Sequence, residues 1–224
     1  LTGLGLGYDF STSYGSHYIH YLLRNTLNLS WGPNSPHNIV IGDLQQEETN
    51  WNADFTYPMG DINVAFGAEW REEKYIMYEG QKESWMPGPW AMVHLLNDPA
   101  IPGDSTKYTA PGLAANGMPG TSPDAAGEFA RQNTAYYADA EWDLSDDLLI
   151  LVAARMEDFS DFGATTNFKL AGRYSLGNIA TFRGSYSTGF RAPTPGQSNY
   201  TGVVTSFDGV TGMQIQEGTL KPDD

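Results

Sequence analysis

The chain is 224 residues long, has no cysteine, and carries 27 acidic against 12 basic residues for a formal net charge of -15. These figures exclude a disulfide framework and thiolate metal sites, and they leave no basic stripe for a nucleic-acid backbone. Charged residues make up only 17% of the chain and aromatics 13%, where a soluble globule carries about a quarter charged.

In chain order, two weakly alternating stretches lie near residues 4–13 and 17–31, with a tight turn expected around Tyr14-Gly15-Ser16. His17 and His20 stand an odd number of positions apart, so on a strand they face opposite ways and cannot share a metal. A longer connection near 32–42 leads to "TNWNADFTY", where Trp51, Ala53, Phe55 and Tyr57 alternate with Asn50, Asn52, Asp54 and Thr56. In "DINVAFGAEWREE", Ile62, Val64, Phe66, Ala68 and Trp70 alternate with Asn63, Glu69, Arg71 and Glu73. Tyr57 and Ile62 both belong to apolar faces, and facing pairs share a side. The four residues Pro58 to Asp61 must therefore turn between them.

A long connection follows at 79–130, holding Trp85, Trp90, His94 and Tyr108 among many prolines and glycines. Within it, "PWAMVHLLND" predicts a short helix, with Pro89 suited to a first turn and Asp98-Pro99 closing it. Loops longer than about 12–15 residues are usually functional or disordered, so these four aromatic and imidazole side chains are candidate ligand contacts. In "AYYADAEWDL", Tyr136, Ala138, Ala140, Trp142 and Leu144 alternate with Asp139, Glu141 and Asp143. The next apolar run, "LLILVAA" at 148–154, is the longest in the chain, and it is far too short for a membrane helix. "TNFKLAGRYSL" puts Phe168, Leu170, Gly172 and Tyr174 against Asn167, Lys169 and Arg173. Face parity again sets the turns, at three residues between Leu144 and Leu148 and three between Leu176 and Ala180. A last strand near 179–190 runs into "YSTGFRAPTPGQSNY", where Gly189, Phe190, Arg191, Ala192 and Pro193 end the alternation. Ala192 and Thr194 each precede a proline and are pushed toward extended backbone, which predicts a stiff loop that does not return to sheet.

Period two this clean means half-exposed strands, about eight in all. Short and longer connections alternate, so the tight turns gather at one end of an up-and-down meander, as in transmembrane β-barrels. Two all-β architectures fit such strands. A soluble sandwich or lipocalin-like barrel turns its apolar face inward. An outer-membrane barrel turns it to lipid, with Glu69, Arg71, Asp139, Glu141, Arg155, Lys169, Arg173 and Arg183 lining the lumen. Strands of about ten to fifteen residues exceed the usual globular length, and Trp142 and Tyr57 near the tight turns suit an interfacial girdle. Both features favour the membrane barrel.

Three segments carry a resemblance. "NVAFGAEWREEKYIMYEG", "ARMEDFSDFGATTNFKLAGRYSL" and "YSTGFRAPTPGQSNY" resemble, in this chain order, strand-and-loop segments of TonB-dependent outer-membrane receptors. The resemblance implies an antiparallel transmembrane β-barrel in the outer membrane of a Gram-negative bacterium, embedded in its lipid. It implies TonB-dependent uptake of a small nutrient ligand (a siderophore, another metal chelate or a glycan), with the TonB complex engaged through a plug domain. Such barrels have about 22 strands, and this sequence shows neither a plug nor a C-terminal strand ending in an aromatic. The expectation is therefore that residues 1–224 are an internal piece of the barrel domain, about a third of it. Gly189 to Pro193 is the family-like motif, with Arg191 a candidate ligand contact beside the loop residues. Haem receptors of the family carry a histidine after the Phe-Arg-Ala-Pro segment, and residues 194–224 contain none.

No enzyme is expected, nor any metal or cofactor. The pairs Glu47-Glu48 and Glu72-Glu73 point to opposite faces, "GLGLG" at 3–7 lacks a strand-turn-helix setting, and no G-x-S-x-G elbow occurs. Glu69 and Glu141 could face one another as paired glycosidase carboxylates, against a plain charged lining. The alternative function is a non-transporting barrel or a soluble β-domain that binds glycans.

Overall fold

The computed structural model describes residues 5–91, 114–207 and 214–220. His94, Tyr108 and most of the helix expected in "PWAMVHLLND" lie outside the described residues. In chain order the elements are β1 (Gly7–Ile19), β2 (Leu22–Arg24), a 3-10 segment (Leu29–Asn34), β3 (Asn38–Val40), β4 (Leu44–Met59), β5 (Ile62–Met77) and α1 (Lys82–Trp85). They continue with β6 (Gly127–Ser145), β7 (Leu148–Phe159), β8 (Gly163–Leu176), β9 (Ala180–Ser187), α2 (Pro195–Asn199), β10 (Gly202–Phe207) and β11 (Gln214–Leu220). β1, β4, β5, β6, β7, β8 and β9 form one seven-stranded up-and-down sheet in that order, and β2–β3 and β10–β11 are separate pairs.

Two expectations are corrected by this arrangement. Tyr14-Gly15-Ser16 is not a turn: β1 runs through it unbroken, so the main sheet counts seven strands. Tyr8, Phe10, Tyr14 and Tyr18 stand at every even position that carries a ring, so the alternation never changes phase at Gly15. The segment after Phe190 does form regular structure. Thr194 is extended as expected, and it caps α2 by accepting from the Gln197 amide while the Gln197 side chain accepts from the Thr194 amide. Pro195 sits at the helix start, where a missing N–H costs nothing, and the β10–β11 hairpin follows.

Of the three parity-derived turns, the one at 177–179 is where the sequence placed it, with Leu176 paired to Ala180. The other two are shorter than expected. β4 runs on through Met59, so only Gly60 and Asp61 turn into β5. Ser145 pairs with Leu148 after a bulge beyond Asp143, so only Asp146 and Asp147 turn. A fourth tight turn, at 160–162, joins Phe159 to Gly163. The connections 20–43 and 78–126 are the long ones.

The chain divides into two compact units. The first holds Leu1–Ser16, Glu47–Lys74 and Ala130–Pro193, most of the sheet. In it, the register aligns Ala138 with Ala154 and Phe168, Ala140 with Val152 and Leu170, and Trp142 with Ile150 and Gly172 on one face. That face is open: Tyr136 is 61% exposed, Phe168 59% and Tyr186 74%. Phe10, Phe55 and Phe66 continue it as a ladder with ring centroids 5.8 and 5.2 Å apart. The second unit, called the loop unit below, holds His17–Gln46, Tyr75–Phe129 and Thr194–Asp224. It has a core of its own, Ile39, Ile41 and Ala115, with Tyr21 and Leu23 packed against it.

Candidate functional site

The polar face of the sheet unit carries an ion-pair network. Glu69 holds the Arg71 guanidinium at 2.8 Å with one oxygen and Arg155 at 3.1 Å with the other. Arg155 also reaches Glu157 at 3.1 Å, and Glu157 accepts from Asn133 at 3.3 Å. Glu69 is thus occupied by two cations, which leaves no room for the carboxylate pairing with Glu141. Beside the network, the Tyr137 hydroxyl on β6 donates to Asp54 on β4, reaching across β5 where Gly67 lies beneath its ring. A Cβ on Gly67 would come within 2.7 Å of that ring, so only glycine admits the crossing. Asp139, Glu141, Lys169, Arg173 and Arg183 on this face form no ion pair among the described residues. Asp139 lies in one row with Ala153, Lys169 and Ser187, and Arg173 stands directly opposite Arg183. Like charges so placed repel unless an anionic group faces them.

The outer end of the same unit is organised by Arg131, only 3% exposed. Its Nε and Nη2 both meet Asp161 at 2.7 Å, its Nη1 donates to the Pro193 carbonyl, and Glu73 lies 3.9 Å away. Its guanidinium sits over Phe159 and Phe162, 6.0 and 5.2 Å from their centroids, and those stacked rings meet Phe190. Phe190 and Pro193 therefore serve to fasten the segment after β9. Arg191 is exposed.

In the loop unit, small polar groups close one loop on another. The buried Asn28 donates to the carbonyls of Glu83 at 2.8 Å and Met86 at 3.3 Å, and accepts from the Ser30 amide at 3.0 Å. The Ser30 hydroxyl accepts from the Gly88 amide at 2.9 Å, and the Ser30 carbonyl from the Trp90 amide at 2.8 Å. Ser84 is wholly buried, and a Cβ on Gly120 would fall 1.7 Å from its hydroxyl. Next to this web lies a cleft of about 370 Å³ walled by Tyr21, Leu44, Trp85, Met118, Ser122 and Tyr200. Of the predicted loop contacts, Trp85 lines the cleft, while Trp90 packs its ring onto Gly32. Tyr21, Tyr200 and Arg131 were not singled out by sequence. The signal that would have found Arg131 is the odd-numbered polar row of β6, followed back from Asp139. Among the described residues, no three His, Asp or Glu side chains gather to hold a metal ion.

The family model "TonB dependent receptor-like, beta-barrel" matches residues 1–223. The chain belongs to the TonB-dependent receptor β-barrel family. Its sheet is accordingly part of an antiparallel transmembrane β-barrel of the kind found in bacterial outer membranes. No curated protein matches it. Among solved structures, the siderophore receptor PirA from Acinetobacter baumannii aligns over 99% of this chain and 28% of its own, with a TM-score of 0.52 at 13% identity. A mutant of the ferric enterobactin receptor PfeA from Pseudomonas aeruginosa aligns over 88% of this chain and 24% of its own, at 12% identity and a TM-score of 0.49. The chain thus spans about a quarter of the length of each.

Proposed function

We propose that this chain is part of the barrel domain of an outer-membrane receptor that takes up a scarce nutrient through TonB. The observation that carries the reading is the division of the seven-stranded sheet into two faces. One bears the exposed side chains of Phe10, Phe66, Tyr136, Val152, Phe168, Leu170 and Tyr186, and large exposed apolar patches mark contact with another apolar phase or partner. The other bears the charges. Lipid satisfies the first face, and a lumen occupied by a polar plug satisfies the second. Arg173 opposite Arg183 supports a filled lumen, because an anionic group from a separate body would relieve their repulsion. Glu69, Arg71, Asp139, Glu141, Arg155, Lys169, Arg173 and Arg183 then face the lumen, and the loop unit, with Trp85 in its cleft, contacts the ligand. A glycan-binding soluble domain would have to cover the apolar face with a second layer.

The test is uptake by the full-length receptor in cells. Deleting residues 85–110 should abolish nutrient uptake while heat-modifiable barrel persists in the outer-membrane fraction. Unchanged uptake would move ligand binding to other loops or to the plug. Full-length protein that folds in buffer without any amphiphile would sink the barrel reading itself.

A further inference from the structure

The loop-unit cleft is uncharged on every described lining residue. The unit around it has few cations to lend. Across residues 17–46, 75–91, 114–129 and 194–202, Arg24 and Lys82 stand against Asp43, Glu79, Glu83, Asp124 and Glu128. Lys82 is placed over the Trp31 ring, 5.2 Å from its centroid, and His20 is bound to Asp43 at 2.9 Å. An anion entering this cleft would lose its hydration with no charge to replace it, a cost that buried charges escape only by pairing. A neutral ligand meets no such penalty.

The lining also specifies what kind of neutral ligand fits. The indole N–H of Trp85 is already given to the Gly80 carbonyl at 3.2 Å, so the residue offers its ring as an apolar platform. Around it stand the hydroxyls of Tyr21, Thr121, Ser122, Tyr200 and Thr201, none with a side-chain hydrogen-bond partner among the described residues. A wholly apolar ligand would leave these groups unsatisfied. The cleft volume, about 370 Å³, falls in the range of about 300–1,000 Å³ typical of small-ligand sites. We propose that this cleft binds a neutral carbohydrate, with a sugar ring on Trp85 and its hydroxyls bonded to those of Tyr21, Ser122 and Tyr200. The proposal rests on the receptor reading and names its substrate class, in place of an anionic metal chelate.

The experiment uses the full-length receptor in detergent and titrates three probes by calorimetry: a panel of neutral gluco-, galacto-, manno- and xylo-oligosaccharides, a ferric tricatecholate (anionic) and a ferric trihydroxamate (neutral). At least one oligosaccharide should bind. Trp85→Ala should weaken it about tenfold or more, as removal of a central aromatic contact does. Tyr200→Phe and Ser122→Ala, which delete only a hydroxyl and keep the loop core, should each weaken it by about half that effect in logarithmic terms. Either iron complex binding with Trp85 dependence, or no binding by any sugar in the panel, overturns the proposal. Uptake assays separate this from the receptor reading. Sugar binding without TonB-dependent uptake would keep the cleft assignment and sink transport. Iron-chelate uptake unaffected by Trp85→Ala would sink the cleft assignment and leave the receptor standing.

Discussion

Tyr136, Phe168 and Tyr186 in the sheet unit are each more than half exposed, whereas Ile39 and Asn28 in the loop unit are wholly buried. The sheet unit leaves its apolar side chains to an outside solvent and keeps charges on the other face, where Glu69 and Glu157 neutralise Arg71 and Arg155. The loop unit does what a water-soluble domain does on a small scale. It buries a few aliphatic residues and gives buried polar side chains such as Asn28 and Ser30 hydrogen-bond partners. Two solvents are thus written into one chain. A substitution should be judged by which unit holds it and not by hydrophobicity alone.

The largest expected effect belongs to the loop unit. Ile39→Ala removes the side chain at the centre of its core, and such truncations cost about 2–5 kcal/mol. Hydrogen exchange in segments 20–43 and 78–91 of the full-length receptor should accelerate, while heat-modifiable mobility of the barrel stays normal. Loss of the barrel along with the loops would show that the two regions are not energetically separable.

Nearly as large is the effect of breaking the lipid face. Ala140 lies in the row of Val152 and Leu170, and an arginine facing lipid near the midplane costs roughly 2–4 kcal/mol. Ala140→Arg should reduce folded receptor in outer-membrane fractions, read by heat-modifiable gel mobility. Asp139→Arg, one residue away on the polar face, should leave insertion nearly normal. If Asp139→Arg proves the more damaging change, the assignment of faces is reversed.

How far each unit could be read from sequence follows from the same contrast. Strands between two solvents must alternate, so β4 to β9 could be placed from residue parity, which also set the turn at 177–179 and located the turns near 60 and 146 without their lengths. β1 was divided wrongly because Gly15 flanked by Tyr14 and Ser16 has turn composition, although its alternation is intact. The loop unit gave no such signal. Asn28, Ser30 and Ser84 are residue types that usually lie on the surface, and their partners at Glu83, Met86 and Gly120 are far away in sequence. Burial set by long-range hydrogen bonds leaves no periodic trace. Trp85 could be singled out as an aromatic in a long loop, but nothing local distinguishes it from Trp90, whose ring is spent on Gly32.

A smaller effect is expected where the sheet unit buries a charge. Arg131→Ala frees the Pro193 carbonyl and removes the cation over Phe159 and Phe162, a loss of about 1–3 kcal/mol for a buried polar group left unpaired. Because Asp161 is 42% exposed, water can take over its share, which places the effect toward the lower end. Limited proteolysis should open within 186–200 and spare the strands. Arg131→Lys should not restore protection, since an ammonium cannot meet Asp161 and Pro193 with a rigid planar fork. Full rescue by lysine would mean that charge alone holds the segment.

The smallest effect is a pH dependence in the loop unit. Partial burial alone would raise the Asp43 carboxyl, but hydrogen bonds from the Tyr18 hydroxyl, the His20 ring and the Tyr21 amide outweigh it and hold the group below its usual value. A carboxyl lowered by folding contributes stability that is fully present above its unfolded value, near 3.8, and is lost as pH falls through the lowered folded value. The anchor that Asp43 gives the Tyr21 backbone should therefore hold throughout the neutral range and release only in strong acid. Tyr18→Phe deletes the first of the three donors, so the carboxyl should protonate at a higher pH than in the unaltered receptor. Carbon-13 titration of the Asp43 carboxyl in the full-length receptor reads this midpoint directly. An upward displacement in Tyr18→Phe, with the barrel strands unchanged over the same interval, would show that the loop unit answers to protons independently of the sheet. An unmoved midpoint would assign the lowering to His20 and the Tyr21 amide alone.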